Sequence, residues 1–189
     1  MVTDAELILT KNAILQKVNQ LLGSLCEKQQ QYLALHSTTL PAEVVQSSPK
    51  ISKGENYNGL PYLLLDYPRV FEQQNIFAIR TMFWWGNFFS ITLHLAGDHK
   101  KMLEQKLVVS YPELKENGIY CCLNDKQWDH HFEDTNYTSI DEISNNDFEK
   151  IIREKSFIKL ASKIPLQQWE EAEEFLLADF KRIINWLAG

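Results

Sequence analysis

The sequence has few cysteines, few glycines and no excess of positive charge, and each of these shortages excludes a class of protein. Three cysteines are too few and too poorly spaced for a disulfide framework, and without a Cys-x-x-Cys pair there is no zinc ribbon. The seven glycines are scattered and form no glycine-rich phosphate loop. The formal net charge of −6 argues against binding to nucleic acid or to an anionic membrane surface.

Long apolar runs are also absent. No stretch approaches the roughly 20 apolar residues of a membrane-spanning helix, and the N-terminus lacks the basic and apolar regions of a secretory signal. We therefore expect a soluble, cytoplasmic protein with reduced thiols. Apolar residues make up 44% of the chain and aromatic residues 12%, which is enough for a core without metal or disulfides. The length of 189 residues predicts a single domain over residues 1–189.

Helical periodicity marks both ends of the chain. Apolar residues recur at helical spacing between Ile14 and Leu25, which predicts a first helix from about Thr3 to His36. The same spacing predicts a last helix over about Leu166–Leu187. Residues 38–59 show no periodicity and are rich in serine, glycine and asparagine, so we expect a flexible loop that could act as a lid.

The middle of the chain alternates between strand and helix patterns. Strands are predicted at Leu60–Tyr67 and Gly118–Asp125, and Ser156–Ile164 is interpreted as a strand or as an extended entry to the last helix. Short helices are predicted before Pro112 and from Asn145 to Lys155. Hairpins with helices at the chain ends indicate an α+β fold. We expect an antiparallel sheet, built around a central hairpin over residues 76–96, whose one face is covered by the N- and C-terminal helices.

The central hairpin is the most informative stretch of the sequence. Two nine-residue strands, Ile76–Trp84 and Phe88–Ala96, flank Trp85-Gly86-Asn87. A two-residue turn would pair Arg80 with Leu93 and mix polar with apolar side chains on both faces. A three-residue loop instead places the large apolar side chains on one face and the polar ones on the other. A one-residue slip of the register would move every side chain of one strand to the opposite face. The sorted register pairs Phe77, Ile79, Thr81 and Phe83 with Leu95, Leu93, Ile91 and Phe89 on the core face, and Ala78, Arg80, Met82 and Trp84 with His94, Thr92, Ser90 and Phe88 on the other.

We call this second face the semi-polar face: the sheet face that carries Arg80, Ser90, Thr92 and His94, with Met82, Trp84 and Phe88 at one end. The preceding strand adds to it either Tyr62, Leu64 and Asp66 or, in the opposite orientation, Leu63, Leu65 and Tyr67. Charged groups surrounded by aromatic walls are typical of small-ligand pockets. The predicted ligand-binding residues are Arg80, His94, Asp66, Thr92, Trp84 and Tyr67.

The main functional hypothesis is a domain that binds a small polar or anionic organic ligand on the semi-polar face. The planar guanidinium of Arg80 suits a carboxylate or phosphate, and Asp66 would orient Arg80 or His94. The alternative for Arg80 is a structural ion pair with Asp66. The alternative for His94 is a hydrogen-bonded packing residue.

Two further hypotheses belong to other classes. In the first, Trp84, Trp85 and Phe88 at the hairpin tip form the contact of a homodimer or another protein partner. In the second, the chain is a hydrolase-like enzyme that uses His94 with Asp66. We expect no cofactor. We also expect no metal, because the candidate ligands His94, Asp98 and His99, with His130 or His131, match no established metal-site spacing.

Overall fold

The structure is a computed structural model that describes residues 5–36 and 40–188. Over these residues the chain is α+β, as predicted, with six α-helices and seven strands. The helices are α1 (Ala5–His36), α2 (Ala42–Val45), α3 (Gly97–Val109), α4 (Tyr111–Glu116), α5 (Asn145–Glu154) and α6 (Ala172–Ala188). The strands are β1 (Lys50–Tyr57), β2 (Leu60–Phe71), β3 (Ile76–Trp84), β4 (Phe88–Ala96), β5 (Tyr120–Cys122), β6 (Tyr137–Ser139) and β7 (Phe157–Pro165).

All seven strands form one antiparallel sheet in the order β1-β2-β3-β4-β7-β5-β6. The first four strands follow one another as a meander, and β7 is inserted between β4 and β5. One face of the sheet packs against helices in a single large core, to which α1 and α6 both contribute. Alternation along each strand explains this, because every second side chain of β3 and β4 is a large apolar residue, with Thr81 as the exception. The predicted cover of terminal helices is confirmed.

The central hairpin has the predicted register. Arg80 lies opposite Thr92, and Ile79 lies opposite Leu93, so the core and semi-polar faces are sorted as expected. The three-residue loop is closed by the Asn87 backbone N–H, which donates to the Trp84 carbonyl oxygen at 3.1 Å. Gly86 has a φ of +69°, a left-handed conformation that glycine adopts without steric cost.

The largest correction concerns residues 38–59. They do not form one loop: α2 occupies Ala42–Val45 and β1 occupies Lys50–Tyr57, while residues 37–39 lie outside the described part. β1 pairs with β2 at the edge of the sheet, where backbone hydrogen bonds hold a strand whose side chains are mostly exposed. Apolar periodicity could not reveal such a strand.

Smaller differences occur at the ends of elements. The predicted helix start at Thr3 lies outside the described residues. Pro112 does not end a helix but lies in the first turn of α4, where its missing N–H costs no hydrogen bond. The predicted last helix begins as a 3₁₀ turn over Leu166–Glu171 and becomes α-helical only at Ala172. The predicted strand Gly118–Asp125 shortens to β5.

Gly97, between β4 and α3, approaches the β2–β3 turn so closely that no side chain fits. Its φ is +61°, and a Cβ would lie 2.2 Å from Asn75 Oδ1 and 2.4 Å from the Gln74 carbonyl oxygen. We expect Gly97→Ala to lower the free energy of unfolding by about 2 kcal/mol, because left-handed strain adds to the clash. Chemical denaturation would measure this.

Gly118→Ala is the matched control for that substitution. Gly118 has a φ of +62°, but a Cβ there would meet nothing within 4 Å. Only the backbone strain remains, and the expected loss is about 1 kcal/mol. Equal losses for the two variants would show that the turn yields to the new methyl group.

Candidate ligand site on the semi-polar face

A segment without regular structure lies over part of the semi-polar face. This covering segment, residues 123–136, connects β5 to β6. Its Trp128 ring meets the His94 ring edge-on with centroids 5.3 Å apart, and its Phe132 ring meets Phe88 at 5.1 Å. The segment thus covers the inner strands and leaves open the part of the face around Lys50 and Ser52 of β1 and around Arg69 and Phe71 of β2.

Tyr57 of β1 and Lys159 of β7 hold the covering segment in place. The Tyr57 hydroxyl accepts hydrogen bonds from the backbone N–H groups of His130 at 2.5 Å and His131 at 3.1 Å. The Lys159 ammonium donates to the Asp129 carbonyl oxygen. These contacts satisfy backbone groups that would otherwise need water or a ladder partner.

The structure decides which face β2 presents. Asp66 lies opposite Arg80 and therefore belongs to the semi-polar face. Tyr67 lies on the other side, buried in the helix-covered core with Leu63 and Leu65. The assignment of Tyr67 to the ligand site is therefore corrected. The physical reason is side-chain alternation, since Leu63 and Leu65 gain more from burial in that core than their neighbours would.

Arg80 and Asp66 form a bidentate ion pair. Arg80 Nε donates to Asp66 Oδ1 at 2.7 Å, and Arg80 Nη2 donates to Oδ2 at 2.9 Å. The two side chains are only 13% and 6% exposed. Arg80 Nη1 also lies 3.3 Å from Nε2 of His130 in the covering segment. Both Asp66 oxygens are thus engaged by Arg80, and in the described residues no hydrogen bond joins Asp66 to His94.

His94 is buried under the covering segment and does not reach the open half of the face. Its ring packs edge-on against Trp128 and Phe157, and the residue is 4% exposed. Burial lowers the pKa of His94 to about 3, with smaller contributions from the positive charges of Lys159 and Arg80. His94 is therefore neutral at physiological pH and is shielded from solvent.

Thr92 and Trp84 are buried as well. Trp84 Nε1 donates to the Tyr57 carbonyl oxygen at 3.2 Å, and its ring lies 5.1 Å from the Tyr57 ring. Phe88 packs against Trp84 from the other side at 5.4 Å. The aromatic hairpin tip on the semi-polar face is therefore internal to the fold. Trp85 turns to the other face, where it packs against Phe83.

Lys159 is a buried charge that the sequence interpretation missed. It lies opposite His94 on the semi-polar face, 1% exposed, with Nζ 5.1 Å from the centroid of the Tyr137 ring. Burial lowers the pKa of Lys159 to about 8. Among the described residues no carboxylate forms an ion pair with it. The sequence does carry a signal for this burial, because Lys159 lies between apolar residues of a predicted strand. Once β7 is paired with β4, side-chain alternation places Lys159 on the semi-polar face.

The open half of the semi-polar face forms a pocket of about 520 Å³. We call it the first pocket, and its main lining residues are Lys50, Asp66, Arg69, Phe71, Arg80 and Trp128. Phe71 is 38% exposed and Trp128 is 47% exposed, with ring centroids 6.2 Å apart. Two large aromatic side chains left open to solvent beside several cations are unusual for a purely structural surface.

The structure thus brings together only part of the predicted site. Asp66 and Arg80 line the first pocket, His94, Thr92 and Trp84 lie beneath or beside the covering segment, and Tyr67 faces the core. Lys50, Arg69, Phe71 and Trp128 were not predicted as ligand residues. Lys50 was hidden in the supposed loop, and Trp128 lies in a segment without periodicity.

Comparison with known proteins assigns no family to this chain. No protein-family model matches it, and no curated protein or solved structure resembles it at a significant level. Within the described residues, no group of three or more histidine, cysteine, aspartate or glutamate side chains could hold a metal ion. In the same part of the chain, no helix has the length and apolarity needed to cross a bilayer. The first pocket is therefore interpreted from its own chemistry.

Proposed function

We propose that this protein binds a small organic anion that has a flat, apolar face, and that the first pocket is the binding site. The observation that carries the proposal is the meeting of three cations and two exposed aromatic rings in one pocket, where the cations outnumber the two carboxylates of Asp66 and Glu72. Cations suit an anionic group, and aromatic walls suit a flat group, which together fix the orientation of a ligand.

The three cations differ in how many of their hydrogen-bond donors are already engaged within the chain. Lys50 forms no ion pair within the described residues. Arg69 donates from Nε to the Ser48 carbonyl oxygen at 3.0 Å, so its two Nη groups remain for a ligand. Arg80 is held by Asp66, and its guanidinium forms part of the pocket floor. Lys50 and Arg69 are therefore the proposed anion-binding residues, and Arg80 is a positioning residue.

The aromatic wall is fixed by the same ion pair. The Cζ atom of Arg80 lies 5.8 Å from the ring centroid of Phe71 and 5.8 Å from that of Trp128. A guanidinium held against two rings restricts their motion through cation–π attraction. The wall is therefore in place before a ligand arrives, which reduces the entropy cost of binding.

A charge-removal experiment tests the proposal. The double variant Lys50→Gln/Arg69→Gln is expected to weaken the binding of benzoate, a flat organic anion, at least tenfold, because two charged donors are lost. Isothermal titration would measure the affinity, and the part of the tryptophan fluorescence change that is lost in Trp128→Phe would report binding at the pocket itself, since the chain has five tryptophans.

Lys53→Gln is the matched control. Lys53 lies on the same strand, β1, but its side chain is 74% exposed and it is paired in register with Leu63, whose side faces away from the pocket. This variant removes one positive charge from the same strand outside the pocket and should leave the affinity unchanged. No binding of benzoate or inorganic phosphate to the wild-type protein would contradict the proposal, as would equal weakening by Lys53→Gln.

The competing hypotheses lack a comparable observation. A homodimer through the hairpin tip would need exposed rings, whereas Trp84 and Phe88 are buried within the chain. A hydrolase that uses His94 with Asp66 would need a hydrogen bond between these two side chains, but both Asp66 oxygens accept hydrogen bonds from Arg80 instead.

The predicted cytoplasmic location is supported by three free cysteines, all buried, which suit a reducing compartment.

A further inference from the structure

We infer that the ligand is a sugar that carries an anionic group, with the anion in the first pocket and the hydroxyl-rich body in an adjoining second pocket. This inference rests on the proposed function and adds the chemical class of the ligand. The observation behind it is that two pockets with different lining chemistry adjoin each other and share lining residues.

The second pocket has a volume of about 320 Å³ and adjoins the first. Gln73, Ile76 and Gln127 line both pockets, so the two form one trough. The β2–β3 turn is one wall of the trough, and the start of the covering segment is the other. A ligand that fills only the first pocket would leave the second to water.

The second pocket offers hydrogen bonds rather than charge. Its polar side chains are the amides of Gln73, Gln74 and Gln127 and the hydroxyl of Ser156. Its carboxylate, Asp125, is neutralised by Lys155 at 2.8 Å. Each amide presents both donors and acceptors, as neighbouring sugar hydroxyls do. An uncharged, hydroxyl-rich group therefore matches this pocket better than a second anion.

Two of the three amide groups are available for a ligand, because the Gln127 side chain is hydrogen-bonded to His94. In the part of the chain that the structure describes, the side chains of Gln73 and Gln74 form no hydrogen bond. Both are exposed, and both line the trough. Trp128 lines only the first pocket, beside Gln127 at the boundary, where its ring can pack against the C–H face of the part of the sugar that lies next to the anion.

Both walls of the trough are fixed by local hydrogen bonds. The turn is closed by the Glu72 N–H, which donates to the Asn75 carbonyl oxygen at 3.0 Å. Asn75 Oδ1 also accepts from the Asp98 N–H at 2.9 Å, which joins the turn to α3. On the other wall, Asn124 Nδ2 donates to Asp129 Oδ2 at 2.9 Å. The backbone that carries the amide groups is therefore fixed before binding.

Titration calorimetry with three probes tests the inference: inorganic phosphate, glucose 6-phosphate and glucose. We expect glucose 6-phosphate to bind the wild-type protein at least tenfold more tightly than inorganic phosphate, and glucose to bind weakly. In Gln74→Ala/Ser156→Ala the affinity for glucose 6-phosphate should fall to about that for phosphate, whose own affinity stays constant. Gln20→Ala, at an exposed position of α1, is the control and should change neither value.

The outcomes separate this inference from the proposed function. If phosphate binds but glucose 6-phosphate binds no more tightly, or if the double variant weakens both equally, the second pocket has no role and only the inference fails. If neither phosphate nor benzoate binds the wild-type protein, the proposed function and the inference fail together. Thermal denaturation of each variant shows whether a weaker affinity comes from lost contacts or from lost folding. The single variant Gln73→Ala is measured in the same way.

Discussion

Replacing Arg80 with methionine is expected to lower the free energy of unfolding by about 3–5 kcal/mol. The substitution keeps an unbranched side chain of similar length but removes the only side-chain donors that Asp66 has among the described residues. The Asp66 side chain would then be left 6% exposed without a partner. Desolvating an unpaired charge costs far more than the pair itself contributes, so the loss exceeds that from removing a surface ion pair. Urea denaturation would measure it.

Two further variants define the origin of that loss. The double variant Asp66→Asn/Arg80→Met removes both charges and should recover a large part of the stability, since no ion is left buried. Lys101→Met removes the cation of an exposed pair with Asp98, whose side chains are 75% and 74% exposed, and should cost less than about 1 kcal/mol. A loss at Arg80 as small as that at Lys101 would show that water reaches Asp66 freely.

The second large effect is expected in acid. The pKa of His94 is lowered from 6.5 to about 3 in the folded chain, whereas the unfolded chain binds a proton near the ordinary value. Between these two values the unfolded state holds more protons than the folded state, so stability falls as the pH falls. One such group accounts for a loss of about 4 kcal/mol from pH 7 to pH 3. The stability contributed by the neutral histidine is complete above pH 6.5.

Substitution of His94 isolates its share of the acid sensitivity. In His94→Leu the slope of stability against pH between pH 6 and pH 3 should flatten by about one proton. Burial also lowers the pKa of His130, which lies beside Arg80 and Lys159, so part of the slope remains in this variant. His36→Gln, at an exposed position, should leave the profile unchanged. Denaturation curves at several pH values give these slopes, and an unaltered slope in His94→Leu would contradict the assignment.

The elements that the sequence predicted best are those with a strong alternation of apolar side chains. The two hairpin strands end at the predicted residues, and the register follows because only one alignment sorts Arg80 and His94 from the core. The helical cover of one face follows from the apolar stripes at both chain ends. Burial selects these features, and burial leaves a periodic trace in the sequence.

The pocket residues left no such trace. Lys50 lies in an edge strand held by backbone hydrogen bonds, which depend little on side-chain type. Trp128 lies in the covering segment, whose position depends on contacts from Tyr57 and Lys159, distant in the sequence. The sequence predicts the Asp66–Arg80 ion pair as one of two alternatives for Arg80. It does not determine which side chains of β2 share the semi-polar face, so it groups Tyr67 with Asp66, whereas Tyr67 faces the core.

The position of β7 in the sheet has a consequence for how the chain assembles. The strands β1 to β4 pair with their neighbours in sequence, so this part can form while the chain is still being synthesised. β7 must find the free edge of β4 after residues 97–156 have been made, and only then can β5 and β6 join the sheet. Non-local pairing of this kind slows folding. Because β7 carries Lys159, this charge can be buried only after that non-local pairing has formed.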